Sequence, residues 1–415
     1  MKLPFKKEEK ERTKRSSPTA ALAVTGFLLL CVGGSAFALL SEFPWNGNPL
    51  DWMKAHEFAE QGNRALQKFS YSEAKDRFNT AISIYPGDWR FHRGLAQASR
   101  TTDRKSAITS FQNALRLHKD TELYLDLADT LIEANELKDA EKTASAAKTH
   151  EPLNSAASAQ LALILQLEKK PEDAKKIFEA TGPMDKDSAR YWFLAAKYHM
   201  LTDDLQRTEA SLRQATSLEK TTPQYWEELG ILMVRKNDLQ NAEIFLRRAA
   251  RLDSNNDVYW GRLGEVCRKL NRLDKAEEAY KHAVQANNQN SEYWLLWGLT
   301  MLVQERYEDA EKPLRHALEM DKTDSAKWNA YINSLQKQKK YKEAANQLEE
   351  FLAQPGNEKM VKTWAFLGGV LIEDGQYNKA KITLEKSKSL SKDPQEIAGI
   401  DKMLAELKKR QGTKS

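Results

Sequence analysis

The chain has 415 residues, 41% hydrophobic and 30% charged, with only 18 Gly and 12 Pro, so it is long enough for several domains and biased toward helix throughout. Its net charge of +5 is concentrated at one end: Lys2, Lys6, Lys7, Lys10, Arg12, Lys14 and Arg15 face only Glu8, Glu9 and Glu11, which leaves the remainder at +1. A nucleic-acid binder gathers its basic excess on the folded part, so no nucleic-acid partner is expected. Two cysteines, Cys31 and Cys267, exclude a disulfide framework and a Cys-based zinc site.

In chain order, residues 1–17 form a basic tail, and no charge occurs from Ser16 to Ser41. About 20 apolar residues at ~1.5 Å each span the hydrocarbon core of a bilayer, so residues 18–40 are predicted to form a transmembrane helix. Glu42 and Asp51 follow it, and no Lys appears before Lys54. The charge asymmetry places residues 1–17 in the cytoplasm and the rest of the chain on the periplasmic or extracellular side, as a single-pass membrane protein. Trp45 and Trp52 then suit the membrane interface. A cleaved signal segment stays open as the alternative, because Ala36-Phe37-Ala38 has the small-x-small form of a processing site. A lipid-modified Cys31 is disfavoured by Leu30. With Pro44, Gly47 and Pro49, residues 41–54 read as a linker.

Beyond the linker the chain is written in a fixed period. Trp192, Trp226, Trp260, Trp294 and Trp328 stand 34 residues apart, and Trp364 follows after 36. Parallel columns run through Thr208, Ala242, Ala276, Ala310, Ala344 and Ala380; through Gly230, Gly264, Gly298 and Gly368, with Ile332 as the exception; and through Ala215, Ala249, Ala283 and Ala317. A period of this length marks stacked supersecondary units.

These columns resemble the tetratricopeptide repeat (TPR), a 34-residue unit with a large residue at position 4 and small ones at positions 8, 20 and 27. Numbered by that pattern, units begin near Ala55, Trp89, Thr121, Ser155, Ala189, Pro223, Asp257, Ser291, Ser325 and Val361. The second is shorter than 34 residues, and the fourth has Ser158 at position 4. The resemblance implies an all-α, right-handed superhelical solenoid of about ten helix pairs over residues 55–394. To this the apolar stretch adds one N-terminal transmembrane helix. Residues 395–410 are expected to cap the array, and 411–415 to form a disordered tail. The small positions let helices cross closely, with the position-4 Trp filling the space between them.

No phosphate-binding loop, dinucleotide fingerprint, nucleophile elbow or His-Glu-x-x-His motif occurs in the sequence. No enzymatic activity, cofactor, metal or small-molecule substrate is expected. His282 and His316 share position 26 and read as exposed histidines; Glu227-Glu228 and Glu277-Glu278 read as helix-surface charges.

The resemblance further implies that positions 2, 5, 6, 9, 12 and 13 of each first helix line a groove that holds a protein or peptide segment. Those positions include Phe193 and Leu194, then a charged middle of Glu227, Arg262, Glu265 and Arg268, then Leu295, Leu296, Leu299 and Leu302. Leu295, Leu299 and Leu302 are expected to form an anchor pocket unless they serve only as packing. A clamp for acidic chaperone tails is incomplete, because Asn63 is present but Ala59 stands where a Lys is needed. The expected function is a membrane-anchored scaffold in an envelope, secretion or polysaccharide-export assembly. An organelle-surface import or chaperone co-receptor and a non-catalytic accessory subunit of an enzyme complex are the alternatives.

Overall fold

A computed structural model describes residues 48–181 and 187–412; the predicted basic tail, apolar span and most of the linker lie outside them. Every regular element among the described residues is helical, and none of these helices is long and apolar enough to cross a membrane. The chain divides into two compact units, Met1–Met184 and Asp185–Ser415.

Among the described residues the first unit contains four helix pairs: α1 (Pro49–Gln67) with α2 (Tyr71–Ile84), α3 (Trp89–Ser99) with α4 (Arg104–Leu117), α5 (Thr121–Glu133) with α6 (Leu137–His150), and α7 (Ser155–Leu167) with α8 (Pro171–Thr181). The second contains six. They are α9 (Ala189–Leu201) with α10 (Leu205–Leu218), α11 (Pro223–Arg235) with α12 (Leu239–Leu252), α13 (Asp257–Lys269) with α14 (Leu273–Ala286), α15 (Ser291–Val303) with α16 (Tyr307–Met320), α17 (Ser325–Lys337) with α18 (Tyr341–Leu352), and α19 (Val361–Glu373) with α20 (Tyr377–Leu390). A last helix, α21 (Pro394–Gly412), closes this unit by burying Ile400 and Leu407 in the same core cluster as α19 and α20. The tail expected at 411–415 is therefore helical through Gly412.

The first helix corrects the linker expectation. Asn48 caps α1 by accepting from the Leu50 N–H, and Pro49 occupies the first turn, where its missing N–H costs nothing. Trp52 is fully buried and donates its indole N–H to Asp88 Oδ2 at 2.8 Å, so it belongs to the repeat core and not to a membrane interface.

Two local features recur in most repeats. Side chains of Asp88, Asp120, Asn154, Ser188, Asn256, Asn290 and Asp324 cap the first helices by accepting a first-turn N–H. The turn between the two helices passes through the left-handed region at one position, occupied by Phe69, Asn135, Lys169, Asp203, Asn237, Asn271, Glu305, Lys339 and Gly375. Lys339, at φ 61°, bears a Cβ penalty there that glycine avoids. Lys339→Gly is expected to raise stability by about 0.5–1 kcal/mol, since relief of that strain exceeds the added entropy of unfolded glycine. A urea titration of the two proteins checks it.

The space between paired helices is filled from position 24. A methyl group added to Gly62 would strike Phe78, and one on Gly230, Gly264, Gly298 or Gly368 would strike Leu246, Tyr280, Leu314 or Leu384, at 2.5–2.9 Å. The position-4 tryptophans lie beside this contact and pin the inter-repeat connection. Their indole N–H groups donate to a carbonyl six residues back: Trp226 to Lys220 (3.0 Å), Trp260 to Ser254 (3.0 Å), Trp294 to Asn288 (3.1 Å), Trp328 to Lys322 (2.7 Å) and Trp364 to Glu358 (2.9 Å). Position 26 contacts the ring in four of these repeats, with Arg248 over Trp226, His282 stacked on Trp260, His316 edge-on to Trp294, and Lys386 over Trp364. The shared position of His282 and His316 is thus explained by a ring partner within each repeat.

Position 21 carries a second inter-repeat tie. Glu209, Glu243, Glu277 and Glu311 each bind a cation four residues on, and each also reaches the next repeat, at Lys236, at Arg272 and Lys275, at Arg306 and at Lys340 respectively. Glu243 is only 1% exposed. Burial raises its carboxyl, but Lys275, Arg247 and Arg272 together hold it below the ordinary range. Glu277 is likewise buried and held down by Lys281 and Arg306, so Glu277-Glu278 is not a simple solvated pair.

Candidate partner-binding groove

In the second unit the first helices α9, α11, α13 and α15 meet through their inward positions. Phe193 at position 5 of α9 lies 4.8 Å, ring to ring, from Tyr225 at position 3 of α11, with Lys197 Nζ 5.0 Å above it. Gly261 at position 5 of α13 accommodates the ring of Tyr293 at position 3 of α15. Position 5 therefore packs against the next repeat, and an apolar residue there is drawn into the interior.

This rule sorts the residues expected to line the groove. Leu295, at position 5, is 4% exposed and part of the core that includes Trp328 and Leu335. Leu194 is 1% exposed. Leu299 and Leu302 are half-buried against the same core as Leu295, and Leu296 packs on the neighbouring one that contains Leu263. Of the residues expected to form an anchor pocket, Leu295 is taken up by packing, while Leu299 and Leu302 keep part of their surface open. The most exposed large apolar side chains on the first helices of this unit are Val303 (63% exposed), Leu201, Val258 and, on α19, Phe366 (38%).

The charged middle is present. Glu265 and Arg268 are exposed on α13, and Glu227 of α11 pairs with Arg262 of α13. Glu227 occupies position 5, where the repeats on either side place Phe193 and Gly261, and burial pushes its carboxyl up to about 7. Arg262 opposes that rise, Glu228 adds to it, and Lys197 opposes it.

In the first unit the equivalent positions are self-paired. Arg93 binds Asp126, Arg100 binds Glu133, and the buried Gln160 donates to Leu125 O and Asp129 Oδ1. A cavity of about 460 Å³ between α1 and α3 is lined by His56, Asn63, Arg90, Arg93 and Gln97 over Phe78. Ala59, also in its wall, is itself buried. No group of three or more His, Cys, Asp or Glu side chains able to hold a metal occurs among the described residues. Cys267 is buried, and its thiol is pushed up to about 11 by that burial.

Residues 361–394 match the family described as tetratricopeptide repeat, and residues 235–317 match that of anaphase-promoting complex, cyclosome, subunit 3. Residues 361–394 are thus a TPR. A curated relative, the Protein STIP1 homolog of Dictyostelium discoideum, is 30% identical over 138 residues, which is 33% of this chain and 22% of that protein. The chain thus spans about a fifth of the length of that relative. Among solved structures, PilF of Pseudomonas aeruginosa is 17% identical over 50% of this chain and 95% of its own, with a TM-score of 0.41. Yeast Tom70 is 14% identical over 88% and 97%, with a TM-score of 0.34. YrrB, described as a TPR protein with an unusual peptide-binding site, is 17% identical over 54% and 98%, with a TM-score of 0.35. The described residues thus form an all-helical array of TPR-type repeats, an architecture that serves protein–protein interaction.

Proposed function

We propose that this TPR chain is a membrane-tethered scaffold without catalytic role, displaying its array outside the cytoplasm and holding a protein segment on the inward face of the second unit. The observation that carries the binding reading is the inward face of α9–α19. There the exposed side chains of Glu265 and Arg268 lie on the repeat next to that of Val303, and Phe366 is exposed two repeats further on. Exposed apolar groups beside a charged stretch suit a segment with one apolar and one charged side. The tether rests on the uncharged stretch 18–40 and the basic residues before it. Assembly of an envelope, secretion or polysaccharide-export complex is the setting that such a placement serves.

The orientation has a direct test in a bacterial host. Protease added to spheroplasts is expected to degrade the array while leaving a cytoplasmic marker intact. An array that survives until the inner membrane is lysed discards the proposed side and favours a cytosol-facing receptor.

A further inference from the structure

We propose that the Glu227–Arg262 ion pair sets the charge of the groove according to proton concentration, so that an acidic partner segment is held more tightly when Glu227 is neutral. The proposal rests on the inward-face reading above and adds its regulation. Its basis is placement: Glu227 stands at an interior packing position, and its one cationic hydrogen-bond partner, Arg262, comes from the next repeat. Arg262 is 40% exposed, so a released guanidinium turns to the groove and not into the core.

The groups facing Glu227 are few. Lys197 comes from α9, Glu228 from its own helix and Arg262 from α13. The charges of the flanking helices are engaged elsewhere: Glu209 of α10 with Arg213 and Lys236, Glu243 of α12 with Arg247, Arg272 and Lys275, and Arg248 over Trp226. Tyr293 of α15, which faces Arg262, Asp257 and Glu265 of α13, is pushed up to about 12 by burial and stays neutral. With Glu227 ionised, Lys197 and Arg262 are balanced by Glu227 and Glu228. With Glu227 protonated, one positive charge is unmatched. The shift of the carboxyl to about 7 places this change within the physiological range.

The test uses the purified full chain and a rhodamine-labelled amphipathic peptide with Leu on one side and Glu on the other, whose carboxylates stay ionised above about pH 5.5. Binding is followed by anisotropy from pH 5.5 to 8.5 for the wild type and Glu227→Gln, and the Glu227 carboxyl is titrated by carbon-13 NMR. The wild type is expected to bind about fivefold more tightly at the acid end. Glu227→Gln is expected to hold the tighter value across the range, a flat profile that also removes the histidines as its source. A Glu227 midpoint near the ordinary value of about 4.3, or equal pH slopes in both proteins, overturns the proposal. A midpoint near 7 with no peptide bound by either protein at any pH overturns the groove reading instead, and with it any regulation of the groove.

Discussion

Trp328→Ala is expected to destabilise the second unit by about 4 kcal/mol, the largest effect of any single Trp in the column. Its side chain is 1% exposed, its ring lies 5.4 Å from that of Phe351, and its indole N–H holds the Lys322 carbonyl at 2.7 Å. Truncation removes the apolar area, leaves a cavity and frees the connection between repeats. Trp328→Phe separates these contributions: it keeps most of the area and loses the hydrogen bond, at a cost of about 1–2 kcal/mol. Trp364 makes the same indole bond but is only half-buried, so Trp364→Ala is expected to cost about half as much as Trp328→Ala. Equal losses at the two sites, measured by urea unfolding, would show that the carbonyl tie and not burial sets the energy.

Glu243→Gln is expected to cost roughly 2 kcal/mol at neutral pH, because one buried carboxylate accepts from three cations on α12 and in the next repeat. The three cations are each more than a quarter exposed and regain water, which keeps the loss below that of an isolated buried charge. The pH dependence follows from the direction of the shift. Glu243, Glu277, Glu311 and Glu209 all titrate below their ordinary value in the folded chain. Their contribution is complete above the unfolded carboxylate value of about 4.3 and disappears as pH falls through the folded values. Wild type and Glu243→Gln are therefore expected to differ fully at pH 6–8 and to converge in acid. A difference that persists at pH 2 would mean the side chain acts through shape and not charge.

The repeat was legible in the sequence because its columns are steric: Gly230, Gly264, Gly298 and Gly368 sit where position 24 presses against the backbone. What the tryptophans do was not legible, since the column gives a spacing while the hydrogen bond goes to a carbonyl. The connection residues that supply it, Lys220, Ser254, Asn288, Lys322 and Glu358, have no one side-chain type common to all five. Position 21 was hidden for the opposite reason, because Glu is common on every helix surface and only the fold shows which one is covered. The start of α1 did carry a signal, Asn48 followed by Pro49, but the surrounding Pro and Gly read as linker. In the groove, composition misled at position 5: Leu295 looked like an anchor, whereas the fold makes that position a contact between repeats.

The proposed role of the second unit stands or falls on whether its inward face holds a partner. The most direct measurement is in-cell crosslinking and pull-down of the full chain from its native host, comparing wild type with a variant carrying Val303→Glu and Phe366→Glu. Both side chains are exposed, so the variant is expected to melt like the wild type. Loss of a partner that the wild type captures is the predicted result. Recovery of the same partners in the same yield would contradict the account and move the binding surface to the second helices or to the first unit.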